Sequence, residues 1–461
     1  MNAQPVETTG GSLYAAQEKV YPREVSGRFN RLRVLAVCVL LGLFYALPWV
    51  SWDGRQAVLF DLPARKFYIF GLTFFPQDFF LLTWLLIIAA LSLFFFTALA
   101  GRLWCGYACP QTVWTEIFVW MERLVEGGRQ QRMKLDRAPW TWRKAARKTA
   151  KQALWISFAL YTGLTFVGYF SAIRELTPNM FSASLGGWET FWVLFYGFAT
   201  YGNAGYMREQ VCKYMCPYAR FQGAMFDRDT LIISYDAARG EPRGARPRSA
   251  NPRDRGLGDC IDCTICVQVC PTGIDIRDGL QLECIACAAC IDACDEVMDR
   301  MNYPRGLIRY STQNALEGAK TRIVRPRTVI YGAVLTALIV GFFIAVSQRE
   351  MLEVDVLRDR NALFRRLDDG AIENVYTVRL VNKDSAAHSV RLDVLDLPGA
   401  IVDADRDVYE VGAGQVLGAP IRVRIAGGAV SGGHDIRITV RSDDGRIDTE
   451  AKARFIAPAG P

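Results

Sequence analysis

Apolar residues in this chain gather into long blocks before giving way to a short alternation. Residues 34–50, 79–99, 153–170 and 328–346 form near-continuous apolar runs, close to the twenty or so residues an α-helix needs to cross a bilayer. A fifth run, 191–206, is shorter and broken by glycine, and the short connection 171–189 pairs it with 153–170 as a hairpin of spans. This pattern predicts about five transmembrane helices. From residue 353 onward the period falls to two. Runs 374–380, 389–394, 420–425 and 435–440, separated by Asp369-Gly370, Gly432-Gly433 and Asp444-Gly445, predict strands joined by turns. About a hundred residues of short strands at such intervals point to an immunoglobulin-like β-sandwich.

The expected organisation is a multi-domain membrane protein. It has an N-terminal segment (1–33), two spanning hairpins (34–206), an arginine- and proline-rich linker region (207–256), a cysteine-rich domain (257–305), a fifth span (328–346) and the sandwich (353–461). Composition agrees: the chain is 51% hydrophobic and 12% aromatic, above the norm for a soluble protein. Segment 1–33 is polar and too long for the charged start of a signal peptide, so the first span is expected to stay as an anchor.

Charge sets an expected orientation, because cytoplasmic loops near spans are enriched in Lys and Arg. Five precede the first span (Lys19, Arg23, Arg28, Arg31, Arg33) and eleven lie in 101–152, against three in 51–78 and only Arg174 in 171–189. The N-terminus, the second loop and the cysteine-rich segment are therefore expected in the cytoplasm, with the sandwich facing outward. The net charge of +7 then reads as topology. No nucleic-acid partner is expected, since the arginines of 239–255 alternate with Pro242, Pro247 and Pro252 in the manner of a flexible linker.

The chemistry is concentrated in residues 260–294. Cys260, Cys263, Cys266 and Cys270 are followed by Cys284, Cys287, Cys290 and Cys294, two copies of the C-x2-C-x2-C-x3-C spacing that holds iron–sulfur clusters. A zinc site usually draws two pairs from separate knuckles, so zinc stands second. In two-cluster ferredoxins the fourth cysteine of each run serves the other cluster. Cys260, Cys263, Cys266 and Cys294 are thus expected on one [4Fe-4S] cluster, and Cys284, Cys287, Cys290 and Cys270 on the other, in an α+β ferredoxin domain. Pro271 follows the first run; the second ends Cys294-Asp295 without a proline.

Two further pairs, Cys105/Cys109 and Cys212/Cys216, each precede a proline and bracket a tyrosine, Tyr107 or Tyr214. Their repetition after the second and fourth spans reads as an internal duplication. Because proline disfavours helix before it and suits the first helical turn, each span is expected to end near its first cysteine and a new helix to open at Pro110 or Pro217. Thiols at such helix starts are expected to have lowered pKa values. Four of them suit a soft ion such as Cu(I), zinc or a further iron–sulfur centre, and Met215 could add a thioether. The plainer alternative is that they pack helix ends. Cys38, alone in the first span, is expected to pack. All cysteines lie at or before Cys294, so the outer domain needs no disulfide.

The only histidines, His388 and His434, fall in the sandwich and are expected to be ordinary loop surface residues. None lies in a span, which makes bilayer haem held between helices an unsuitable reading.

Two hairpins ending in C-x3-C-P, a double ferredoxin segment, a last span, and a sandwich with Arg358-Asp359-Arg360-Asn361 and Asn374-Val375-Tyr376 near its start together resemble the cytochrome c oxidase accessory protein family CcoG, also called FixG or RdxA. The resemblance extends from about Tyr21 onward. It implies a bacterial inner-membrane protein that reduces Cu(II) to Cu(I) for assembly of cbb-type oxidase, with the assembly machinery and an unidentified electron donor as partners. Electrons would pass through the two clusters to copper near Cys105, Cys109, Cys212 and Cys216. Two rival classes are a quinol-linked electron conduit serving a partner reductase, and a non-catalytic assembly or copper-delivery factor.

Overall fold

In the computed structural model, residues 19–249, 256–360, 362–384, 386–443, 445 and 447–459 are described. The start of the N-terminal segment, the end of the arginine–proline run at 250–255, Asn361 and Asp444 of the third expected turn lie outside them. The chain forms two compact units. One comprises Met1–Tyr45, Ala89–Phe166 and Gly186–Leu335, and the other Ala46–Ile88, Val167–Leu185 and Thr336–Pro461.

Among the described residues three helices are long and apolar enough to cross a membrane: Arg28–Trp49, Pro76–Ala100 and Pro326–Ser347. Their leucines, isoleucines and phenylalanines, such as Leu85, Leu86, Ile330 and Phe343, lie outside, as they do on lipid-facing helices. The other two apolar runs are helical as well. Residues 153–170 fall mainly in Trp142–Val167, whose first half carries Arg143, Lys144, Arg147, Lys148 and Lys151. Residues 191–206 fall in Gly187–Thr200 and the π-helical turn Tyr201–Met207. By length and composition, three of the five expected spans qualify among the described residues.

The second unit contains the sandwich. One sheet orders its strands 401–404, 416–425, 372–382 and 352–358, with 365–366 beside 372–382. The other orders 409–411, 388–395, 433–442 and 448–456. Alternation along Ile372–Asn382 and Gly433–Ser442 turns Tyr376, Val378, Leu380, Ile436, Ile438 and Val440 into the shared core. Two residues of the Asn374-Val375-Tyr376 stretch tie the sheets together. Asn374 exchanges hydrogen bonds with the backbone of Ile456 at 2.8 and 3.0 Å, and the Tyr376 hydroxyl donates to the Arg454 carbonyl at 3.0 Å.

Buried Asn382 donates to the carbonyls of Ala386, Val411 and Gly412 at 2.8, 3.0 and 3.0 Å. Asn382→Ala removes these buried donations and is expected to cost about 2–3 kcal/mol, read as a lower midpoint of sandwich unfolding followed by limited proteolysis of the full chain. An unchanged midpoint would show that the fold does not depend on this clasp. The histidines differ from expectation, for both lie in strands. His388 is buried, with Nε2 2.9 Å from Asp384; His434 faces the Ser431 carbonyl at 3.0 Å.

The same unit includes small sheets that the apolar pattern did not announce, formed by strands 51–52 and 55–56 and by strands 58–61, 66–69 and 72–74. Gln56 links them to the next connection, donating to the Gly168 carbonyl at 2.7 Å and accepting from Ile173 N–H at 3.1 Å.

In the first unit, the end of one apolar helix is organised from far along the chain. The N–H groups of Phe29 and Asn30 donate to the carboxylate of Asp292 at 3.2 and 2.7 Å, across 263 and 262 residues, satisfying donors that every helix start leaves open. A side chain on Gly27 would collide with that carboxylate, 2.2 Å from its Cγ.

Candidate metal centres

The eight cysteines of 260–294 line two cavities in the first unit. One is bordered by Cys260, Cys263, Cys266 and Cys294, with Tyr235 and Arg277. The other is bordered by Cys270, Cys284, Cys287 and Cys290, and Cys266 lies in its wall too. The fourth cysteine of each run therefore sits with the first three of the other run.

The local backbone repeats as closely as the sequence does. Asp262 and Thr264 have φ of 54° and 55°, while Ala286 and Ala288, at the equivalent offsets, have 54° and 59°. Left-handed residues next to right-handed ones turn successive N–H groups to one side, the concavity that holds many iron–sulfur groups. Such a backbone is strained for side chains with a Cβ and persists where the surroundings enforce it. The helices Ile265–Gln268 and Ala289–Met301 follow these loops. Strand Ile232–Tyr235 pairs with Ile308–Ser311 to complete the body, which thus begins well before residue 257. Arginines of the expected linker are held against it: Arg246 donates to the Gly258 carbonyl at 2.7 Å and to the Cys260 carbonyl at 3.3 Å.

Burial pushes the Cys266 thiol up to about 11 and those of Cys284 and Cys294 to about 12. Sulfur so placed becomes thiolate against the positive charge of a metal. Among the described residues no three His, Cys, Asp or Glu side chains converge on a single ion. Cysteines that ring a cavity without meeting at a point suit a polynuclear cluster better than a zinc tetrahedron with sulfur at about 2.3 Å.

The C-x3-C-P pairs lie in the same unit. As expected, helices open at the prolines, Pro110–Glu126 after Cys109 and Pro217–Met225 after Cys216. The first cysteines differ in setting. Cys105 lies in the short helix Leu103–Tyr107 and Cys212 in a π-helical turn, Val211–Met215. The four thiols are near enough for their charges to repel one another. At Cys105, Cys109 and Cys212 the expected lowering of thiol pKa does not occur. Burial raises Cys105 to about 11 and Cys212 to about 12, the latter also through the neighbouring thiols, and proline at the first helical position offers no N–H.

One contact was not visible in the spacing. Cys105 packs against the group formed by Val269, Ile285, Cys287, Ala289 and Ala293. Beside it, a Cβ on Gly106 would lie 2.8 Å from the Ile285 carbonyl oxygen, 2.9 Å from that of Ala286 and 2.9 Å from Cys287 Cα. Arg102, also buried, donates to the carbonyls of Cys284 and Ala219 at 3.3 and 2.8 Å. Tyr107 meets Tyr310 at 3.5 Å, and Tyr310 donates to Ala286 O at 2.7 Å. The second copy has no such role for its tyrosine, since Tyr214 is 72% exposed. Met215 is exposed as well, and Cys38, rather than packing, lies on the surface.

Comparison with known proteins matches these parts to named families. A 4Fe-4S dicluster domain model covers residues 207–313, a 4Fe-4S binding domain model covers 81–126, and an IG-like fold at the C-terminal of FixG covers 342–458. The nitrogen fixation protein FixG of Rhizobium meliloti (strain 1021) is 38% identical over 454 residues, which are 90% of this chain and 85% of that protein. The chain belongs to the FixG family. Two other FixG-family relatives, RdxB and RdxA of Cereibacter sphaeroides, are 42% and 41% identical over 402 and 398 residues, covering 84% and 83% of both partners. The crystal structure of a FixG-related protein from Vibrio parahaemolyticus matches 23% of this chain and 97% of its own, at 28% identity and a TM-score of 0.22. This chain is a FixG/RdxA-type iron–sulfur electron-transfer protein with membrane-capable helices and an Ig-like domain.

Proposed function

We propose that this protein reduces Cu(II) to Cu(I) at an inner membrane during assembly of a cbb-type cytochrome c oxidase. In this reading the cysteine-rich body is cytoplasmic and the sandwich periplasmic. Cys260, Cys263, Cys266 and Cys294 hold one [4Fe-4S] cluster and Cys270, Cys284, Cys287 and Cys290 the other, each storing and releasing one electron. Copper is the substrate. Cys105, Cys109, Cys212 and Cys216 receive it, and their soft sulfur favours the Cu(I) product.

The observation that carries this reading is the contact at Gly106, where the first C-x3-C-P segment lies directly on the backbone of the Cys284–Cys287 loop. Arg102 fastens the same two segments together, and its charge lies near Cys105, Cys212 and Cys284. The four cysteines are half-buried, and a copper ion there exchanges water ligands for thiolates as it gains one electron.

Replacing Cys105 and Cys109 together by serine is expected to lower cupric reduction by about 10²-fold, the scale of a lost positioning group, while the iron of the two clusters remains. Undiminished reduction would remove the pairs from the mechanism. A second reading has support in the 4Fe-4S model over 81–126, whose only cysteines are Cys105 and Cys109: the four thiols hold a third cluster. About twelve irons per chain, rather than about eight, would select it.

A further inference from the structure

The first unit contains a cavity of about 700 Å³, within the size range of small-molecule sites, to which nothing above gives a role. One wall is the start of an apolar helix, with Val34, Val37 and Cys38; another is helix Pro110–Glu126, with Ile117, Trp120 and Leu124. The far end is lined by Cys212, Ile285 and Cys287. Trp120 and Leu124 are 54% and 67% exposed, so the rim is apolar. Polar groups also face in. Arg33 is only 7% exposed, and the Nε atoms of Arg33 and Arg123 are buried with no hydrogen-bond partner among the described residues. Gln111, Thr115, Glu116 and Glu209 complete the polar lining.

We propose that this cavity binds an isoprenoid quinol, which supplies the electrons. This rests on the electron-transfer reading of the site but not on copper being the acceptor. An apolar tail fits the walls built from a membrane-capable helix, and the idle arginine donors suit the ring oxygens. A phospholipid would use the same apolar wall and basic groups, yet gains nothing from an end lined by Cys212 and Cys287. In becoming a quinone the quinol gives up two electrons and two protons. The two cluster sites provide two one-electron acceptors, and the carboxylates Glu116 and Glu209 are placed to take the protons on their way to water.

The test uses the full chain in detergent, prepared without oxygen, with decylubiquinone as probe and Trp120 fluorescence as readout. Saturable quenching is expected, weakened roughly tenfold or more in Arg33→Gln, as for a lost hydrogen bond to a charged group. Arg123→Gln is measured alongside, and iron and acid-labile sulfide contents establish that both variants are folded. Absence of saturable quenching, affinity equal to the native chain's in both folded variants, or native mass spectra with phospholipid that decylubiquinone does not displace would each overturn the proposal. Dithionite-reduced protein is assayed with Cu(II) in parallel. Copper reduction without quinone binding removes only the donor, and quinone binding without copper reduction removes only the acceptor.

Discussion

Gly106→Ala is expected to slow cupric reduction by about 10²-fold, because displacing a reacting group by about 1 Å costs on that order. The added Cβ would meet two carbonyl oxygens and a Cα at 2.8–2.9 Å, and backbone atoms cannot swing aside like a side chain. Either the C-x3-C-P segment backs away from the Cys284–Cys287 loop or the loop itself shifts, and both lengthen the path between the sulfur groups. Overpacking of this kind adds a stability loss of about 1–3 kcal/mol. Gly42→Ala is the control, since nothing lies within 4 Å of its Cβ position. Equal rates of copper reduction in the two variants, with matched iron content, would show that the contact at Gly106 has no part in the transfer.

Glu122→Ala is expected to be the most damaging change outside the cysteines, at about 3–5 kcal/mol, as for a buried ion group that loses one partner. Glu122 is fully buried, with Arg208, Arg132, Lys19 and Lys151 at 2.9, 3.2, 3.5 and 3.6 Å. Its removal strands several cations, Arg132 being nearly inaccessible itself. Burial alone would raise its carboxyl pKa, but Arg208, Lys19, Lys151 and Arg132 outweigh burial and hold it at about 2, against an ordinary 4.5. The group therefore contributes its full stability above about pH 4.5, and that contribution fades as pH falls toward 2. Thermal unfolding of detergent-solubilised protein between pH 7 and pH 3 reads this directly. The variant should show a weaker acid dependence than the native chain, whereas Glu317→Ala, which breaks an exposed pair with Arg228, should leave stability nearly unchanged. Identical acid profiles for Glu122→Ala and the native chain would refute the network's role.

Features written in short periods were legible in the sequence. The cysteine spacing anticipated the crossed arrangement around two cavities, and the alternation in 374–380 and 435–440 located the two central strands of the sandwich. Prolines 110 and 217 marked real helix starts. Features that depend on contact between distant segments were not legible. Strands 352–358 and 448–456 lie at the edges of their sheets, where one-sided packing weakens the alternation. The buried charges around Glu122 lie in the connection 101–152, which the sequence marked only by its many Lys and Arg, because composition does not reveal which carboxylate is surrounded by cations. The raised thiol pKa values follow from burial, whereas helix position alone argued for the opposite shift. Gly106 offered a faint signal, a residue without a side chain midway between functional neighbours, but its purpose emerges only when the Ile285–Cys287 backbone lies against it.

The Asp292 cap on the helix that begins at Arg28 bears on biogenesis. During synthesis that helix leaves the ribosome long before Asp292 exists, so its first N–H groups have to rely on water or lipid headgroups until the cysteine-rich body is made. Cofactor loading and the final seating of the first apolar helix are thereby linked in time. A chain that fails to acquire its iron would carry a frayed helix start at the membrane surface, a ready mark for the proteases that remove unfinished membrane proteins.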